Sequence, residues 1–225
     1  MTGSTARLRN FVLLVLCLGW LLVYALYWGV FQTITIPPTK EHEASLLATI
    51  AYLIPAFRQF NITCIPVAGS LLGILRQNAS NAWDDDFDCL GLPTDAPRLA
   101  QLMSTAEFQR HVSYQEIFFG YKFVLTATMH DNQHPFDYLL YADTGSRYTL
   151  VSEKSRRLWP NDWFATAELF PTSACHLSNI LMKCPAHPRP YIARVFGANA
   201  IQNVVKRNHN PDSRIRQLLR YFHLY

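Results

Sequence analysis

Four carboxylates fall within five positions, Asp84, Asp85, Asp86 and Asp88, preceded by Trp83 and interleaved with Phe87, Cys89 and Leu90. An acidic run is usually a solvated loop, but a solvated loop does not carry that apolar complement. Read as a strand, the segment puts Asp86 and Asp88 on one face, about 6–7 Å apart. At an effective dielectric near 20, two such charges repel by about 2–3 kcal/mol. Holding both against an apolar strand is therefore costly without a cation, and oxygen donors select a hard divalent ion, Mg²⁺ or Mn²⁺. Just upstream, Val67-Ala68-Gly69-Ser70-Leu71-Leu72 reads as a strand broken by Gly-Ser and followed by a helix. Gly69 lets the backbone approach a ligand closely, and the N–H groups of Ser70 and its neighbours at a helix start favour phosphate. The two features together suggest a nucleotide-phosphate site facing a metal. Arg76 either clamps a phosphate through its guanidinium fork or closes the helix as a surface residue.

Gly69-Ser70-Leu71-Leu72-Gly73-Ile74-Leu75-Arg76 followed by Trp83-Asp84-Asp85-Asp86-Phe87-Asp88 resembles the signature of the LicD/fukutin family. That family includes bacterial phosphocholine transferases and the Golgi proteins fukutin and fukutin-related protein. Phe136-Asp137-Tyr138 stands where the family places a third acidic residue on a strand. Leu169-Phe170-Pro171 resembles its late Phe-Pro motif, and Pro188 to Gly197 its closing helix. The stretch Gln77 to Ala82 departs from the pattern, having no glycine where the family often has a His-Gly-Gly-like run.

The resemblance implies a nucleotidyltransferase-like fold. It also implies metal-dependent transfer of a phospho-alcohol, ribitol phosphate or phosphocholine in type, from a CDP-linked donor to a glycan hydroxyl with loss of CMP. On this reading Asp86, Asp88 and Asp137 are catalytic and, with Asp84, hold the metal. Asp137 is a further ligand or the group that orients and deprotonates the acceptor hydroxyl. Asp84 and Asp85 bind a second ion or position the first. Gly69, Ser70, Arg76 and Lys122 face the donor, Lys122 against developing charge. Trp159 and Trp163 stack on a base or sugar, or pack in the core. Two other readings compete. One is a non-catalytic partner of a glycosyltransferase. The other is an interaction protein binding Ca²⁺, although the acidic run lacks the Asp-x-Asp-x-Asp-Gly order of an EF-hand loop.

The elements that position these residues follow from periodicity. Leu46, Leu47, Ile50, Leu53, Ile54 and Phe57 predict a helix over 40–59 with a bend near Pro55. Strands are predicted at 63–68, 87–92, 121–129, 136–141 and 180–184, the third and fourth joined by a polar turn at 130–135. Helices are predicted at 71–76, 97–106 and 188–196, the last closed by Gly197. Residues 143–168 read as loops over the site. The fold class is a mixed-sheet α/β (α+β) domain.

Half of the 225 residues are apolar and the formal net charge is +4 with no basic run, which excludes both wholesale disorder and a nucleic-acid footprint. Arg214, Arg216 and Arg220 read as the solvated face of a last helix. Residues 11–31 carry no charge and are long enough for one bilayer span, whereas bulky Tyr27, Trp28 and Phe31 disfavour signal cleavage. Arg7 and Arg9 precede this span, so the sequence predicts a 1–10 cytosolic tail, an 11–31 transmembrane signal anchor, a 32–39 stalk and a 40–225 domain. The protein is then a single-pass type II membrane protein facing the Golgi or ER lumen. Two sequons, at Asn61 and Asn78, suit that side. Asn78 is expected to stay unmodified because a sugar there would crowd the site mouth. Cys64, Cys89, Cys175 and Cys184 permit disulfides, and Cys175 and Cys184 flank a turn short enough to bridge.

Overall fold

The computed structural model describes residues 13–24, 40–81, 84, 86–126 and 135–202. Trp83 and Asp85, Arg7 and Arg9, the 32–39 stalk, the 130–134 part of the expected turn and Arg214, Arg216 and Arg220 lie outside the described residues. Residues 13–24 form a helix, α1, whose Leu13, Leu16, Trp20 and Leu22 are exposed. Among the described residues no helix is long and apolar enough to cross a membrane. The rest of the expected 11–31 span lies outside them.

The domain that follows is a mixed α/β unit. Its helices are α2 (Lys40–Gln59), α3 (Ala68–Gln77), α4 (Ala96–Met103), α5 (Ala106–His111), α6 (Glu153–Leu158), α7 (Thr166–Leu169) and α8 (Pro188–Phe196). Its strands are β1 (Ile65–Pro66), β2 (Phe87–Gly91), β3 (Val112–Ile117), β4 (Gly120–Leu125), β5 (Phe136–Asp143), β6 (Arg147–Leu150), β7 (Trp163–Ala165), β8 (Ser173–Leu177) and β9 (Ile180–Cys184). The main sheet runs β1-β2-β5-β4-β3, and β6 and β7 extend it from the far half of β5. β2 and β5 are parallel and every other pair is antiparallel. β8 and β9 form a separate hairpin.

Alternation along the strands divides the sheet into two faces. Phe123, Phe136 and Tyr138 turn toward α2, where Phe57 meets all three rings edge-on at 5.8, 5.7 and 5.5 Å. Leu46, Ile50 and Leu53 bury the rest of that helix face, as the spacing predicts. The opposite face carries Asp88, Asp137 and Lys122 and receives α3. Thr105 starts α5 by accepting from the Phe108 N–H, and Ser152 does the same for α6 through Ser155.

Several expectations change. The first strand shrinks to Ile65–Pro66, and α3 begins at Ala68 rather than Leu71, so Gly69 and Ser70 lie inside its first turn. Ala68 adopts φ +48 to make that turn. The stretch read as loops contains β6, α6 and β7. β3 and β8 carry little apolar alternation and have no counterpart in the sequence reading. Cys175–Cys184 is bridged as expected, across the β8–β9 hairpin, and Cys64–Cys89 is bridged as well, tying the entry to β1 onto β2.

Candidate metal centre

The central pair of strands sets the site. Their parallel register places Asp88 opposite Asp137, and the β4–β5 register places Lys122 opposite Asp137. Two carboxylates from distant segments and one ammonium therefore fall on a line across three strands, all on the face away from α2. Asp86, two residues before Asp88, joins from just ahead of the first residue of β2. Oxygens of Asp86, Asp88 and Asp137 lie within 4.8 Å of one another. Lys122 Nζ stands 3.2 Å from Asp137 Oδ1.

α3 is fastened to this line. The Asp88 N–H donates to Ser70 Oγ at 2.8 Å, and the Asp88 carbonyl accepts from the Val67 N–H at 3.1 Å. The peptide bearing Asp88 is thus held on both sides by the β1–α3 turn. Helix geometry leaves the Gly69 and Ser70 amides without intrahelical acceptors, beside the carboxylates.

The electrostatics are strained. Three carboxylates this close repel by about 3 kcal/mol per pair at an effective dielectric near 20. Burial, then Asp86, then Asp137 hold the Asp88 carboxyl well above the usual carboxylate range. Lys122 offsets one negative charge of three. The remaining donor set is compact, oxygen-only and anionic, which fits a hard divalent ion of the Mg²⁺ or Mn²⁺ kind.

The other expected residues take different places. Asp84 is not in the cluster: its carboxylate lies against Gly69, where an added Cβ would come 2.5 Å from Asp84 Oδ2. Gly69 is therefore needed for the approach of this side chain to the α3 start. Arg76 gives its guanidinium to the Ala200 carbonyl and to Asn81 Oδ1, with Asp84 near enough to act on it electrostatically. It anchors the loop that leads into the acidic run. Trp163 lies between Arg194 at 3.6 Å and Arg147 at 4.8 Å, and Trp159 stacks on Phe118 at the β3–β4 turn. Both rings are in contact with the protein's own side chains.

Sequence reasoning missed a second buried carboxylate. Asp162 is 9% exposed, and its Oδ1 accepts from Tyr141 at 2.6 Å and Tyr191 at 2.7 Å. Burial raises its carboxyl above the usual range while the two tyrosines and Arg194 oppose that rise. Its flanking residues, Trp159-Pro160-Asn161 and Trp163-Phe164, carry the same signal that marked Asp88, a carboxylate set among large apolar residues. Asp95 is a third such group. It accepts from the Thr63 N–H at 2.7 Å and pairs with Arg98, and so fastens α4 to the approach of β1.

Residues 61–187 match the family described as LicD/FKTN/FKRP, nucleotidyltransferase domain. No curated protein matches the chain. Among solved structures the chain is similar to ANT(2″)-Ia in complex with adenylyl-2″-tobramycin, with 12% identity and a TM-score of 0.44 over 77% of this chain and 97% of that one. It is similar to the lincosamide antibiotic adenylyltransferase LnuA bound to lincomycin, with 10% identity and a TM-score of 0.43 over 76% and 100%. It is also similar to an antigenic nucleotidyltransferase-like protein from Paracoccidioides brasiliensis, with 10% identity and a TM-score of 0.42 over 83% and 91%. Likenesses this distant carry no argument about what the chain acts on.

Proposed function

The chain belongs to the LicD/FKTN/FKRP nucleotidyltransferase-domain family, and from that membership we propose that it is a metal-dependent phosphotransferase acting on glycans. The reaction moves a phospho-alcohol of the ribitol phosphate or phosphocholine type from a CDP-linked donor to a glycan hydroxyl. A bond forms between the acceptor oxygen and the phosphorus bearing the alcohol, the bond from that phosphorus to CMP breaks, and the hydroxyl proton leaves to solvent. The observation that carries this reading is the convergence of Asp86, Asp88 and Asp137 oxygens within 4.8 Å beside the start of α3.

Each residue has a task in this scheme. Asp86, Asp88 and Asp137 would hold Mg²⁺ or Mn²⁺, which neutralises charge at the donor's diphosphate when bound. Asp137 acts as a ligand rather than the base, because it is packed against two other carboxylates and paired with Lys122. The Gly69 and Ser70 amides donate to the diphosphate from the α3 start. Lys122 stabilises the charge that accumulates on the leaving CMP. Arg76 and Asp84 shape the loop and are left out of the donor contacts.

The same reading places the domain in the Golgi or ER lumen behind the 11–31 anchor. The uncharged apolar run supports that placement, and so do two disulfides, which an oxidising compartment sustains. The test is to incubate the folded full chain with CDP-ribitol, CDP-choline and other CDP-alcohols plus a glycan acceptor, with Mg²⁺, Mn²⁺ or EDTA. CMP release with one donor, lost in EDTA, is the expected result. A folded chain that releases CMP from none of them with either ion overturns the proposal.

A further inference from the structure

Beneath the carboxylate line lies a chain of hydrogen bonds whose direction is fixed by its members. The Ala68 N–H can only donate, and it donates to the Tyr191 hydroxyl oxygen at 3.1 Å. Tyr191 has one O–H, which goes to Asp162 Oδ1, and the single O–H of Tyr141 goes to the same atom. Both tyrosines are fully buried. The chain joins the far half of β5, the segment before β7 and the first turn of α8 onto one amide.

That amide matters because Ala68 is where the backbone turns into α3. Its φ of +48 is a left-handed conformation that costs an alanine about 1–2 kcal/mol. It persists only where the surroundings impose it, and the Tyr191 hydroxyl is the side-chain contact made by the Ala68 amide. Tyr191 is itself fixed by a parallel stack on Phe164 at 3.8 Å. One turn further along α8, Arg194 is held by Glu168 at 2.7 Å.

We propose that Tyr191, Asp162 and Tyr141 are positioning residues of the transfer site: they set the angle of the Ala68 turn and so aim the Gly69 and Ser70 amides at the donor's diphosphate. The inference rests on the function proposed above for those amides. Asp162 works through Tyr191 and touches no reacting atom. Asp88 and Asp137 are carried by β2 and β5 and Asp86 by the residue before β2, so the clasp reaches the metal ligands only through the Val67 and Ser70 contacts to the Asp88 backbone and acts first on nucleotide binding.

Tyr191→Phe keeps the stack on Phe164 and removes only the hydroxyl. Two measurements on the full chain judge it. Amide hydrogen exchange of the 67–74 segment should accelerate about tenfold while α2 is unchanged. Affinity for CDP in the presence of Mn²⁺ should fall about tenfold, with Mn²⁺ affinity alone within about threefold of the parent. Asp162→Asn keeps the acceptor oxygen and should fall between the parent and Tyr191→Phe in both. Exchange that accelerates equally in α2, or not at all, overturns the proposal, as does a lower melting temperature with CDP affinity unchanged. If the parent binds Mn²⁺ but no CDP, the nucleotide reading of the site has failed and the aim of the clasp at a diphosphate fails with it. The exchange measurement then still decides whether the clasp sets the turn.

Discussion

Asp88 carries a heavy electrostatic burden. Its carboxyl is raised first by burial and then by Asp86 and Asp137, so the native chain binds that proton more tightly than the unfolded chain does. Stability from this group is complete below the ordinary carboxylate range and is lost as pH climbs through the raised folded value. Without metal, Asp88→Asn should therefore melt about 3–8 °C above the parent at neutral pH. The advantage should shrink toward pH 4 and below, where the parent's carboxyl takes up a proton in the unfolded state as well as in the folded one. Added Mn²⁺ should raise the melting temperature of the parent and leave the variant nearly unmoved. Melting curves in EDTA and in Mn²⁺ across that pH range give the answer, and a variant less stable than the parent at every pH without metal would show Asp88 to be a structural residue. Asp86 and Asp88 were legible in the sequence because their relation is local: an i, i+2 spacing on an apolar strand. Asp162 and Tyr191 were not, since their meeting depends on where α8 and β7 dock, and no spacing within either segment encodes that.

At the scale of elements, α2, β2, β5 and α8 follow from periodicity because each buries a regular apolar face. β3 leaves little trace in the sequence because Ser113, Tyr114, Gln115 and Glu116 sit on an edge strand that is largely exposed. α6 and α7 have six and four residues, too few to show a helical repeat. The β1–α3 junction is hard to place from sequence because Gly69 reads as a breaker; its role in the fold is to admit Asp84, while an alanine takes the strained turn. The β3–β4 turn makes a sharper demand on glycine. Gly120 has φ +146, and a Cβ there would come 2.2 Å from the Tyr138 carbonyl oxygen, whereas Gly145 has φ +92 with nothing within 4 Å. Gly145→Ala should then cost about 1 kcal/mol, for conformation alone. Gly120→Ala should cost about 3 kcal/mol or more, because backbone must move in the strand that carries Asp137. Urea unfolding of the two variants checks this, and equal losses would contradict the packing described for β4 and β5.

Over the whole molecule, both sequon asparagines are exposed. Asn78 caps the C-terminal end of α3 with its carbonyl accepting from the Ser178 N–H at 2.5 Å. That end is about 12 Å along the helix from Ser70. Asn61 ends α2 in a left-handed turn with its side chain outward. Expressed through the secretory pathway, the chain should carry a glycan at Asn61. A glycosidase-sensitive mass shift that Asn61→Gln removes is the expected result, and an unshifted parent would contradict the luminal placement. The parallel pairing of β2 with β5 has a consequence for biosynthesis. During translation Asp88 emerges well before Asp137, and a chain stalled between them has no complete set of ligands to offer. Any ion the finished set binds is bound by the mature topology alone, so divalent metal rewards completed folding over every earlier species. If the proposed metal binding holds, raising the divalent metal concentration during synthesis should raise the share of newly made protein that completes folding.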